Sequence, residues 1–113
     1  MAYAVLFHLN SGRTEDQRAA LRNIENLLAE IPEAQVELVV QGDALPMVQT
    51  AHSPLAKELQ ALCARGVEVA VCRNTMRARG VSEEELLPGM RVVPSAVGEL
   101  VRRQHEGMAY IKP

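Results

Sequence analysis

Tryptophan is missing from this sequence, and 113 residues include only one phenylalanine and two tyrosines. So little aromatic surface excludes a base-stacking platform for single-stranded nucleic acid. An excess of positive charge is missing too. The formal net charge is −2, which leaves no basic footprint for a phosphate backbone. No apolar run approaches the ~20 residues of a membrane span. The opening residues, Met1 to His8, have no positive n-region, and their apolar run is shorter than a signal peptide needs. A cytoplasmic location is the resulting expectation, with reduced cysteines. The two cysteines, Cys63 and Cys72, have a spacing that fits neither a redox CxxC pair nor a zinc knuckle. The glycine-rich phosphate loops, the GxSxG elbow and the HExxH zinc motif are all absent. No cofactor and no metal is expected, and no nucleic-acid or membrane partner.

What remains is an ordinary globular composition, 48% hydrophobic and 23% charged, in a length that makes one domain over residues 1–113. Tyr3 to Leu9 is almost continuously apolar, as a central parallel strand covered on both faces would be. Thr14 to Gln17 fits a capping box. Ala20, Leu21, Ile24, Leu27, Leu28 and Ile31 then repeat at helical spacing until Pro32. Gln35 to Val40 is a second strand, and Gly42-Asp43-Ala44 a tight turn after it. Leu45 to Ser53 has no clear period; its apolar Leu45-Pro46-Met47-Val48 is expected to be covered by a neighbouring subunit. Ser53-Pro54 looks like an N-cap followed by a first helical proline. Leu55, Leu59, Leu62 and Cys63 form the apolar face of that helix, which Gly66 closes.

Val67 to Val71 is a third strand, with Cys72 at its carboxyl end. Asn74 to Ala78 makes a short helix ended by Gly80, with Asn74 and Thr75 suited to cap it. Ser82 to Glu85 is another capping box. Arg91-Val92-Val93 is a short strand, and Pro94-Ser95 opens a last helix. Val97, Leu100 and Val101 are expected inward on that helix, with Glu99, Arg102 and Arg103 in weak ion pairs outside. Met108 to Ile111 is the final strand. Alternation of this kind predicts an α/β fold: a three-layer α/β/α sandwich with a mostly parallel sheet of about five strands.

In such sheets ligands bind at the carboxyl ends of the strands. Cys72 therefore stands where a helix N-terminus favours an anion, and a thiolate is an anion. Arg73, Arg77 and Arg79 follow it; Arg73 and Arg77 are candidates to hold a thiolate or an anionic adduct, while Arg79 reads as a solvated helix face. His8 ends the first strand at the same edge and is a candidate for the crevice. His52 and His105 read as surface residues, and Cys63 as core.

Val71-Cys72-Arg73-Asn74-Thr75-Met76, Gly80-Val81, Val92 to Leu100 and Gln104 to Lys112 together resemble the DsrE/DsrF-like family. Ala4 to Leu9 and the Val39 to Asp43 turn agree with it, so the resemblance spans nearly the whole chain. It implies a small α/β/α domain assembled into homo- or hetero-oligomers, some members of which carry sulfur as a cysteine persulfide in an intracellular relay. Cys72 matches the family's cysteine, with Asn74 and Thr75 as its structural neighbours. The function this implies is a sulfur carrier or sulfurtransferase-like protein holding a persulfide on Cys72. Its partners would be further copies of itself, as a trimer or hexamer, and a sulfur donor or acceptor protein. The alternative is a non-catalytic oligomeric module that binds a small ligand, with Cys72 lining the crevice.

Overall fold

The computed structural model describes residues 2–113. Five strands and four α-helices follow one another: β1 (Ala4–Leu9), α1 (Thr14–Glu30), β2 (Gln35–Val40), α2 (Ala56–Ala64), β3 (Glu68–Cys72), α3 (Arg73–Arg79), β4 (Arg91–Val93), α4 (Ala96–His105) and β5 (Ala109–Ile111). Two 3-10 segments, Gly42–Val48 and Glu83–Glu85, interrupt the longer connections. The sheet order is β4-β3-β2-β1-β5, and every pairing is parallel. The expected sandwich is therefore present.

Side chains alternate across the sheet, and the two faces bury different sets. Val5, Phe7, Leu9, Leu38, Val40, Val69 and Val71 point into the larger core, where α1, α2 and Met76 of α3 cover them. Leu6, Val39, Ala70 and Cys72 point the other way, under Ala96 and Leu100 of α4. The helix after β3 thus turns to one face and the helix after β4 to the other. Adjacent strands whose following helices part in this way leave a crevice at their carboxyl ends.

Several local features differ from the sequence reading. The N-cap of α1 is Arg13, without a side-chain cap; the Gln17 amide donates instead to the Ser11 carbonyl at 3.0 Å. Likewise α2 begins at Ala56, with Leu55 as its N-cap, because the Ser53 hydroxyl accepts from the Leu55 N–H and holds a turn one step earlier. Gly66 does close α2: at φ +98° it lets its own N–H reach Cys63 O and the Val67 N–H reach Leu62 O, a Schellman closure. The capping box from Ser82 to Glu85 is formed.

Two corrections matter more. Leu45, Met47 and Val48 are buried in the chain's own core, since the 3-10 segment folds them under the sheet edge, so they offer no surface for a neighbour. On α4, Val97 and Val101 are 64% and 62% exposed while Glu99 is 4% exposed. The helix is rotated from the apolar-stripe expectation because exposed Arg91 on β4, which also reaches buried Glu37 on β2, donates to Glu99. Charge pairing, rather than valine burial, sets its face.

Truncating Leu38, fully buried at the sheet centre, is expected to cost about 2–5 kcal/mol. Val101→Ser is expected to stay within about 0.5 kcal/mol when measured on the dissociated monomer. Urea unfolding of the two variants checks both, and a large loss in V101S would return that valine to a core.

Candidate functional site

Cys72 is at once the last residue of β3 and the N-cap of α3, with extended backbone at φ −71° and ψ 115°. Arg73, Asn74 and Thr75 are therefore the first turn of the helix, and Asn74 and Thr75 do not cap it. The free N–H groups of that turn are aimed at the sulfur's side of the chain. On the other side, Ser95 caps α4, its hydroxyl accepting from the Gly98 N–H at 2.9 Å. The next residue, Ala96, donates its N–H to Cys72 Sγ at 3.3 Å. Two helix N-termini thus meet at one sulfur.

Thr75 adds a directed donor. Gly42, in left-handed backbone at φ +58°, turns its N–H onto Thr75 Oγ1 at 3.0 Å. The hydroxyl oxygen is then an acceptor to Gly42, and its own proton is free for Cys72. Burial alone would raise the Cys72 pKa. Hydrogen bonding from the Thr75 hydroxyl, and from the N–H groups of Thr75, Ala96 and Asn74, outweighs it, and the thiol lies below its ordinary value. Cys63 behaves in the opposite way: half-buried against the core, it is pushed up by desolvation.

A cavity of about 310 Å³ opens beside the sulfur, bordered by Gln41, Gly42, Thr75, Arg79, Ser95 and Val97. Cys72 is only 4% exposed, so a reactant reaches its sulfur through this cavity. Of the three arginines, Arg79 borders the cavity and pairs with Asp43 at 2.6 Å, so it is more than a solvated helix face. Arg73 and Arg77 line a different depression, and Arg73 pairs with Glu83 at 3.4 Å.

His8 lies in the β1 register opposite Val39, on the face that carries Cys72, but outside the cavity wall. Its Nδ1 lies 2.8 Å from the Tyr110 hydroxyl, and its Nε2 is hydrogen-bonded to Gln41 Oε1. Gln41 borders the cavity, so His8 reaches the site through that amide. Burial lowers the His8 pKa; the Gln41 contact opposes this and the charge of Lys112 adds to it. His52 and His105 are exposed and remote from this wall. The sequence reading passed over Gln41, Ala96 and Ser95. The Pro94-Ser95 helix start signalled the last two; nothing in the local pattern signalled Gln41.

The sequence model of the DsrE/DsrF-like family matches residues 1–113. No curated protein matches the chain. Among solved structures, a protein of unknown function, MTH1491 from Methanobacterium thermoautotrophicum, is similar with a TM-score of 0.94 and 34% identity, over 98% of this chain and 99% of that one. The ychN protein from E. coli superposes with a TM-score of 0.83 over 100% of both chains at 19% identity, which is a likeness of fold.

Thr75→Val keeps the shape but removes the directed proton. Alkylation of Cys72 is expected to slow several-fold at neutral pH, with its pH midpoint moved up, while Cys63 is unaffected. Rates measured by mass spectrometry against pH decide this, and an unchanged Cys72 midpoint would remove Thr75 from the site.

Proposed function

The chain belongs to the DsrE/DsrF-like family, and from that premise we propose that it is a sulfur carrier or sulfurtransferase-like protein that holds a persulfide on Cys72. The observation that carries the reading is the meeting of two helix N-termini at one buried sulfur, with the Ala96 N–H 3.3 Å away. Family membership supports it because sulfur relay is associated with this family.

The chemistry needs three things from the protein. A thiolate must form near neutral pH, and the Thr75, Ala96 and Asn74 donors favour it. The thiolate attacks the outer sulfur of a donor persulfide, R–S–SH. One Cys72–sulfur bond forms, the donor S–S bond breaks, and the donor leaves as a thiolate that takes up a proton. The product persulfide is again an anion, stabilised by the same N–H groups. It must also be kept from stray thiols, and the burial of Cys72 at the base of an open cavity supplies part of that protection.

The alternative, a small-ligand-binding module with Cys72 as lining, draws on the same cavity and the same low exposure. Incubation with a cysteine desulfurase or a small persulfide donor separates the two. A gain of one sulfur atom, reversed by reductant, is expected in wild type and not in Cys72→Ser. No gain with any donor, or an equal gain in C72S, favours the binding module.

Self-association is part of the proposal, as a trimer or hexamer. Its support is the pair of exposed valines on α4, Val97 and Val101, of which Val97 borders the cavity. A second copy against that helix would deepen the shielding of Cys72. Light scattering at micromolar concentration is expected to give a mass that is a multiple of three copies of the 12.4 kDa chain; a monomer or dimer throughout would refute this part.

A further inference from the structure

Away from the cavity, α4 buries two carboxylates against the sheet. Glu37 of β2 is 1% exposed and Glu99 of α4 is 4% exposed. Two arginines stand between them. Arg91 of β4 places one nitrogen 3.3 Å from Glu37 Oε2 and 3.0 Å from Glu99 Oε2. Arg103 of α4 places its Nε 2.8 Å from Glu37 Oε1 and 3.1 Å from Glu99 Oε2. That nitrogen has one proton, and its hydrogen bond goes to Glu99. Glu37 Oε1 is left fully buried with no hydrogen-bond donor. The other charged groups facing the cluster are more exposed: Glu68 of β3, 3.7 Å from Arg91 and 3.9 Å from Arg103, Glu106, 3.1 Å from Arg103, and Arg102, 3.5 Å from Glu99.

A buried carboxylate oxygen without a donor is costly. A proton on that side chain removes the cost, because the acid then donates and the neighbouring carboxylate accepts. Two carboxyl groups in one dry site hold one proton between them for the same reason. We propose that Glu37 and Glu99 share a single proton, and that this acid–carboxylate pair is the latch that seats α4 on the sheet and so positions the Ala96 N–H against Cys72. Glu99 lies one helical turn beyond Ala96, and its own N–H donates to Ser95 O at 3.1 Å. Loss of the proton puts a second negative charge under the first turn of α4, and that turn carries the donor to the sulfur. Glu37 and Glu99 are then positioning residues that act on Cys72 through the helix.

The pH behaviour follows. Burial first, then the hydrogen bond and charge of Glu99, raise the Glu37 pKa against the opposing charges of Arg103 and Arg91. Glu99 is held down, first by the hydrogen bond from Glu37, against burial, and with the help of Arg91 and Arg103. A raised carboxyl contributes stability that is complete below its ordinary value and is lost as pH rises through the folded value. For Glu37 that window runs from 4.5 to about 7. The Glu99 contribution is lost only on acidification, below that window.

The test compares wild type with Glu37→Gln, whose amide is a permanent donor to Glu99, both in a Cys63→Ser background. Urea unfolding across the window and the ultraviolet absorbance of the Cys72 thiolate are measured on the same samples. Wild type is expected to lose stability across the window, and E37Q to lose this slope. The Cys72 thiolate is expected to form at lower pH in E37Q, giving about threefold more thiolate at pH ~8, where the wild-type proton is gone, because the donor from α4 stays in place. Glu99→Gln, which donates to an ionised Glu37, serves as the second variant and is expected to flatten the same slope. Equal slopes in wild type and both variants overturn the shared proton, the difference between them cancelling the opposite slope of His8. Superimposable thiolate curves overturn the coupling to Cys72. The inference concerns the thiol and not its cargo, so failed sulfur loading with these shifts intact would reject the carrier reading and leave the latch standing.

Discussion

Two helices leave adjacent parallel strands toward opposite faces of the sheet, and the gap this opens at the carboxyl edge is the constraint on which the site depends. α3 follows β3 into the larger core through Met76. α4 follows β4 onto the other face through Ala96 and Leu100. Their N-termini must part around the chain at Cys72, which pairs in register with Val93. A residue in that place faces unpaired N–H groups from both sides. A sulfur there is stabilised as an anion by backbone alone, before any side chain is considered.

Burial and hydrogen bonding compete at that sulfur. Removing a thiol from water favours its neutral form. The donors from Thr75, Ala96 and Asn74 reverse the balance. Partial burial without donors leaves Cys63 raised. The contrast between the two cysteines therefore reflects the Thr75 hydroxyl and the backbone amides together. The carboxylate pair beneath α4 obeys the same rule: the carboxyl with an unsatisfied oxygen is raised, and the one that collects the arginine donors is lowered.

Much of this was legible in the sequence, because strands buried on both faces write themselves as continuous apolar runs. Ala4–Leu9 and Glu68–Cys72 are of that kind, and the second of them delivers Cys72 to the right edge. Helix ends marked by glycine, such as Gly66, were equally readable. Sequence pattern failed where long-range charge overrides a local period. Val97 and Val101 fit an apolar stripe, yet Glu99 takes the buried side because its partner Arg91, shared with Glu37, comes from a distant strand. The fragment from Leu45 to Val48 failed for a related reason: a 3-10 segment has no 3.6-residue period to read, so its burial was invisible. Gln41 enters the site through a turn, and turns place side chains by geometry that composition does not record.

The central claim is that paired helix N-termini make Cys72 the more acidic thiol in spite of its burial. The most direct measurement is a nuclear magnetic resonance titration of the two cysteine β-carbons in the folded protein. The account predicts a Cys72 midpoint below the ordinary thiol value and below that of Cys63. A Cys72 midpoint at or above that of Cys63 would contradict it.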